Sequence, residues 1–314
     1  MIIDLVPEFL AVLDARDRIT AYHDYLLRHR AVLGAYWHNY VLDLDSPQAV
    51  EVIRSVVTAD RRDLLRLVES HDVAAAASEA MARATEALEA DTEIDCYLTV
   101  GVGGANASEL VVGGRGVVVI ALEHFTGVSN QETWSLGLSP DLLPLWIAHE
   151  AAHVVRYCSP RSRSELRRVI ADSGGNYDAW DVPSRVTLRE LMLNEGLAVH
   201  ASRAVLPGRA EEEYFGFTRR QYRRLRELEA SLLRLAEPDL DRTGLGLKLR
   251  WLTGGLALSA RLVGARVLPE RAGYYLGARM AEALLAQGGL AAAVRAHESE
   301  FIGAEARAGE AASA

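Results

Sequence analysis

The chain reads as an α+β protein, mainly helical, with a small antiparallel sheet packed on a helix at residues 140–157. Three textures point there. Residues 1–92 repeat apolar side chains at three- and four-residue spacing, as in FLAVLDARDRITAYHDYLL and EVIRSVVTADRRDLLRLVESH, which is the period of an amphipathic helix. Residues 95–125 change to β-branched runs punctuated by glycine. From Ser139 onward the helical period returns. The expected organisation is an N-terminal helical region, 1–92, followed by a second domain, 93–314. That domain holds the sheet at 95–125, helices at 140–157 and 188–205, and C-terminal helices.

Taken in order, the stretch Val73–Ala90 is alanine-rich and favours helix. Asp95–Val102 alternates in polarity, and Gly113–Leu122 contains a second β-branched run. The glycines between them join strand to strand. A dinucleotide-binding GxGxxG loop joins strand to helix, so no nucleotide fingerprint is present. Ser139-Pro140-Asp141 has the residues of a helix start, although Pro144 suits the first turn of a helix that begins slightly later. Thr187-Leu188-Arg189-Glu190 fits a capping box and opens a helix that runs through Asn194, Glu195 and His200 to Pro207-Gly208. An arginine-rich amphipathic helix follows at 211–235. Two more are expected at 269–286 and 290–306, with residues 309–314 frayed.

Composition removes several function classes. The 314 residues are 50% hydrophobic and 25% charged, an ordinary globular balance, and carry a net charge of −9. That surface repels phosphate backbones, so nucleic acid is not the expected partner. Lys248 is the only lysine. There is consequently no GK[ST] phosphate loop, and Schiff-base chemistry would rest on Lys248 alone. Cys96 and Cys158 form no CxxC pair and no disulfide framework, and read as small packed residues. Asp4 and Glu8 interrupt what would be the apolar core of a signal peptide. The most continuous apolar run, Val117–Leu122, falls far short of the roughly 18 to 20 residues of a membrane helix. The expectation is a cytoplasmic protein without a membrane partner.

The chemistry lies in Leu145-Trp146-Ile147-Ala148-His149-Glu150-Ala151-Ala152-His153-Val154-Val155-Arg156. On a helix His149 and His153 project from one face, one turn apart, so both rings can reach a single Zn²⁺. Glu150 can reach a water on that metal without being a ligand, which completes the HExxH arrangement. The helix is apolar on nearly every side, and burying two imidazoles and a carboxylate without partners is costly. A metal supplies the partner. A catalytic zinc site needs a third protein ligand and an open position. The candidate is Glu195, in Leu193-Asn194-Glu195-Gly196-Leu197-Ala198, where Gly196 permits close approach of chain or substrate.

HExxH followed by NEGLA on a later helix resembles the gluzincin metallopeptidases, in which two histidines and a downstream glutamate hold zinc. HExxHVVR followed by NEGLA is similar to a domain-of-unknown-function family labelled predicted zinc-dependent proteases. Tyr274-Tyr275-Leu276-Gly277 is similar to the Tyr-x-x-Gly helix of gluzincin aminopeptidases. The resemblance covers roughly residues 95–300 and implies a zincin-like fold, one Zn²⁺ held by His149, His153 and Glu195, and a peptide or protein substrate. It implies that Glu150 assists attack of a zinc-bound water. It also implies that Tyr274 steadies the oxyanion, with Tyr275 the alternative if the alignment slips by one. The chain departs from the pattern after the third ligand. Ala198 and Val199 stand where some gluzincins place an aspartate that orients a histidine, so the groups behind the ligands must come from elsewhere.

Other residues carry less. Glu123 ends a strand and is either an ordinary strand-end acid or a group that captures a substrate amine. Arg156 answers the helix C-terminal dipole or pairs with a carboxylate near the ligands. His200 is turned away from the ligand face, and the remaining histidines lack ligand spacing. The strand Val117–Leu122 is a candidate for pairing with an extended substrate. The reading is a zinc metallopeptidase. A catalytically degenerate zinc-binding module that recognises a partner, or a zinc hydrolase of non-peptide amides or esters, are the alternatives.

Overall fold

The computed structural model describes residues 1–255, 258–263 and 266–304. The chain begins not with a helix but with a strand, β1 (Ile2–Asp4). Six helices follow: α1 (Val6–Asp14), α2 (Arg18–Arg28), α3 (Arg30–Tyr40), α4 (Ala49–Thr58), α5 (Arg62–Ser70) and α6 (Val73–Ala87). The side chains of Asp17 and Asp72 accept from the free amides of Thr20 and Ala75 and so start α2 and α6. The sheet strands are β2 (Ile94–Thr99), β3 (Ala107–Val112) and β4 (Arg115–Ala121), and a small hairpin, β5 (Ser129–Asn130) and β6 (Ser135–Leu136), follows. Beyond it lie α7 (Leu143–Cys158), α8 (Glu165–Asp172), α9 (Leu188–Val205), α10 (Arg219–Ala236) and α11 (Leu245–Leu252). A short hairpin, β7 (Leu262–Val263) and β8 (Arg266–Val267), precedes α12 (Ala272–Val294).

The fold is α+β and mainly helical, as expected, but the sheet is mixed rather than antiparallel. Its order is β1-β2-β4-β3, with β1/β2 and β2/β4 parallel and only β3/β4 antiparallel. Gly113 and Gly114 both hold positive φ, 57° and 81°, which a tight two-residue hairpin turn requires, and this turn folds β3 back onto β4. The segment that follows β2 carries the chain out to the far edge, so β2 and β3 never touch. β4 is buried on both faces after its first residue, as an inner strand must be. The Val117–Leu122 run therefore cannot take a substrate strand: β2 and β3 already occupy both its edges, and β3 is the edge strand.

Helix α7 lies across β3 and β4, flanked by α6 and α9, and α12 packs along α9. Ser139 caps a single 3₁₀ turn, Pro140–Leu142, and α7 proper starts at Leu143 with Pro144 in its first turn, so both start signals are used. Thr187 caps α9 by accepting from the Glu190 amide, but Glu190 does not return the bond. Its carboxylate is fully buried and receives two bonds, 2.8 and 2.7 Å, from Nη2 of Arg156. Nη1 of Arg156 donates to the carbonyls of Val294 and Ala296. One guanidinium thus ties α7 to α9 and to the end of α12, a closer bond than the dipole contact the sequence suggests.

Helices α9 and α12 approach backbone to backbone. A Cβ placed on Gly277 would stand 1.7 Å from the Met192 carbonyl oxygen, and one on Gly196 would stand 2.1 Å from the Gly277 carbonyl carbon. Only glycine fits at either point. α12 is interrupted at Gly289 (φ 74°, ψ 176°), close to the expected break between two C-terminal helices, and residues 298–304 are again helical. The expected frayed end, 309–314, lies outside the described residues. Among the described residues no helix is long and apolar enough to cross a membrane.

Two stability measurements follow from these contacts. Gly277→Ala is expected to lower unfolding free energy by about 1–3 kcal/mol through overpacking, read as a lower denaturant midpoint at unchanged slope. Glu190→Ala leaves the Arg156 charge buried and unpaired, and is expected to cost about 3–5 kcal/mol.

Candidate metal centre

Helix α7 is buried on all sides from Leu145 to Tyr157, because the sheet, α6 and α9 surround it. Four-residue spacing sets the His149 and His153 rings 4.9 Å apart on one face. Glu195 arrives from α9. Its Oε2 stands 3.3 Å from Nε2 of His149 and 3.5 Å from Nε2 of His153. The three donors all lie within 4.8 Å of one another. Ligands at about 2.0–2.1 Å around a tetrahedral Zn²⁺ are themselves separated by about 3.4 Å, and the Glu195 oxygen already stands near that distance from both ring nitrogens. The side chains of His149 and His153 are only 3% and 2% exposed, whereas that of Glu195 is 16% exposed and marks the open side.

The electrostatics of the cluster would suit a cation. Burial pushes His149 below its ordinary value, more strongly than the nearby Glu195 carboxylate pulls it up. Burial also opposes charge on His153, but Glu195, helped by Glu109 and Glu150, outweighs it and raises the group to about 10. Glu195, despite burial, is held well below the usual carboxylate range by the two imidazoles, His153 foremost. The carboxylate therefore calls for positive charge that a proton on one ring supplies only in part. A divalent cation would satisfy both rings at once. The Nδ1 atoms of His149 and His153 are buried and have no hydrogen-bond partner among the described residues, so no side chain orients either ring from behind. Aromatic packing does so instead: Trp146 and Tyr274 lie against His149, and Tyr157 stacks on His153.

Glu150, on the same helix turn, is buried. Its carboxyl is raised well above the usual range, first by burial and then by the neighbouring carboxylate of Glu109 on β3. The sequence reading did not find Glu109, since nothing local distinguishes it from a strand surface acid. Its carboxylate accepts from the hydroxyls of Tyr40 at 2.9 Å and Tyr157 at 3.2 Å, and Tyr157 in turn accepts from Asn194. Asn194 precedes Glu195, so the Asn-Glu pair serves both the metal side and the Glu109 side of the cluster. The outer edge of β3 is already capped: the Glu109 carbonyl takes the Tyr40 hydroxyl and the Val111 carbonyl takes the Tyr177 amide.

The two tyrosines of the Tyr-Tyr-Leu-Gly segment separate. The Tyr274 ring lies parallel to His149, centroids 6.2 Å apart, whereas the Tyr275 hydroxyl turns away and donates to Glu229 of α10. Glu123 is not available for a substrate amine. It is buried, and its carboxylate accepts from the amides of Gly101 and Gly103, holding the turn after β2. His200 bonds the Ala278 carbonyl of α12, away from the ligands.

Fold and site together define a mainly helical α+β protein with a two-histidine, one-glutamate cluster of zinc-ligand geometry. Residues 178–302 match the model of a family described as "Predicted Zn-dependent protease (DUF2268)". The matched span contains Glu195, Tyr274 and Gly277, and it ends short of His149, Glu150 and His153 on the N-terminal side. No curated protein matches the chain, and no solved structure does.

Zinc added to metal-stripped protein is expected to bind with a stoichiometry of one in calorimetry. Replacing His149, His153 or Glu195 with alanine is expected to weaken that binding at least about 100-fold, against about 10- to 100-fold for removal of a supporting group.

Proposed function

We propose that this chain is a zinc-dependent metallopeptidase of the gluzincin type, acting on peptide or protein substrates. The observation that carries the reading is the convergence of two Nε2 atoms and one Oε2 atom, from two helices, at zinc-ligand spacing. His149, His153 and Glu195 would hold one Zn²⁺, which when bound supplies Lewis acidity toward water and toward a peptide carbonyl. Glu150 takes the proton of the attacking water and returns it to the departing amine as the carbon–nitrogen bond breaks. Burial and the Glu109 carboxylate raise the proton affinity of Glu150, which suits a base that draws a proton from water, and a bound divalent cation would favour its ionised form before that transfer. Tyr274, ring against His149, offers its hydroxyl to the carbonyl oxygen as that atom gains charge. The free cysteines Cys96 and Cys158 are in keeping with a cytoplasmic setting.

A peptide library presented to the zinc-loaded protein tests the reading. Glu150→Gln is expected to lower kcat by about 10²- to 10⁴-fold while leaving zinc stoichiometry unchanged. Tyr274→Phe is expected to lower it by about 10²- to 10³-fold, mostly in kcat rather than KM. Turnover by Glu150→Gln at the wild-type rate would overturn the mechanism.

A further inference from the structure

Against the Tyr274 ring stands a cation without a counter-charge among the described residues. Arg271 is the residue just before α12, and its Cζ lies 4.3 Å from the centroid of the Tyr274 ring, the ring that stacks on His149. Phe217 also lies against the guanidinium, 5.4 Å from ring centroid to Cζ. Its Nη1 reaches the space beside Gly216, which itself abuts the Trp146 indole packed on His149. Among the described residues no carboxylate pairs with Arg271 and its side chain makes no hydrogen bond. The adjacent Glu270 pairs with Arg261 instead.

Two other arginines near these helices have ion pairs, Arg156 with Glu190 and Arg203 with Glu211. Arg271 is half-buried, and its charge meets aromatic faces rather than an acid among the described residues. The backbone reinforces the point. Arg271 holds φ 54° and ψ 29°, the left-handed region that a residue with a Cβ enters only under constraint, and such strain concentrates where geometry serves binding. Stacking on aromatic rings occupies the faces of a guanidinium and leaves its N–H edge directed outward. That edge matches the two oxygens of a carboxylate.

We propose that Arg271 is a substrate-binding residue that receives a carboxylate of the peptide next to the scissile bond. The preferred substrates are then peptides with an acidic group there, either the free C-terminal carboxylate or an acidic side chain. The proposal rests on the peptidase reading above, deepening it from peptides in general to acid-bearing peptides.

Calorimetry on zinc-loaded Glu150→Gln protein separates the possibilities without turnover. Three ligands are compared: an N-acetylated neutral tripeptide with a free C-terminus, its C-terminal amide, and an amide carrying glutamate as the last residue. At least one acidic ligand is expected to bind about tenfold or more tighter than the neutral amide, charge-assisted bonds to a guanidinium being of that strength. A preference for the free acid alone identifies the C-terminal carboxylate as the source. A preference for the glutamate amide alone identifies the side chain. Adding Arg271→Gly, which keeps the left-handed backbone accessible and so preserves the start of α12, is expected to close the gap with zinc stoichiometry unchanged. Arg271→Lys, which keeps the charge but not the fork, is expected to recover only part of it. Equal binding of all three ligands would overturn the proposal. So would an acid preference that survives Arg271→Gly, because the carboxylate would then be going to the metal. Wild-type protein that cleaves no member of the peptide library would sink the peptidase reading, and the binding comparison would still decide the role of Arg271.

Discussion

The backbone contact between α9 and α12 at Gly196 and Gly277 is the constraint on which the rest of the site depends. Two helices can come this close only where both lack a side chain, and here a single methyl would collide with main-chain atoms that cannot move aside. Glu195 immediately precedes one glycine, and Tyr274 lies one turn before the other. The approach therefore fixes the rotation of both helices at the residues that face His149 and His153. The Arg156–Glu190 pair holds the other end of the arrangement, tying α7 to α9 and to the last turn of α12. Helix positions at both ends are thus determined by contacts that tolerate little displacement, as a ligand set spread over two helices requires.

Helix α7 carries four polar groups through an interior that is otherwise apolar, and the protein treats them differently. Arg156 is paired within the chain, its Nη2 with a carboxylate and its Nη1 with two carbonyls. Glu150 is placed against a second carboxylate, Glu109, within a ring of tyrosine hydroxyls, which favours a retained proton. His149 and His153 have only Glu195, and their outer nitrogens meet no acceptor. Buried polar atoms with incomplete partners are rare because they are expensive. Two imidazoles and a carboxylate brought within 4.8 Å of one another in a largely buried setting are what a cation would satisfy, and that argument needs no appeal to the family description of residues 178–302.

Some of this was legible from the order of residues and some was not. The pairing of His149 with His153, and the place of Glu150 between them, follow from 3.6 residues per turn. The caps at Thr187 and Ser139 are equally local. Glycine before α9's middle turn announced a close approach, and Gly277 of α12 is what approaches. The sheet was misjudged because β1 joins β2 across some ninety residues and β3 crosses to the far side of β4, and no local pattern reports which strand lies beside which. Glu190 carries the mark of a capping box, yet a buried guanidinium is a stronger partner than an exposed amide, so Arg156 took it.

What the sequence by itself determined is the set of groups able to hold a metal on α7, since one helix turn fixes their relation and no other part of the fold can change it. What only the tertiary structure decided is which groups meet them: Glu195 rather than another glutamate, Tyr274 rather than Tyr275, and Glu109 beside Glu150. Adjacent helical residues point about 100° apart, so the choice among neighbours rests on how each helix is rotated where it crosses the next. That rotation is set by packing between segments far apart in the chain.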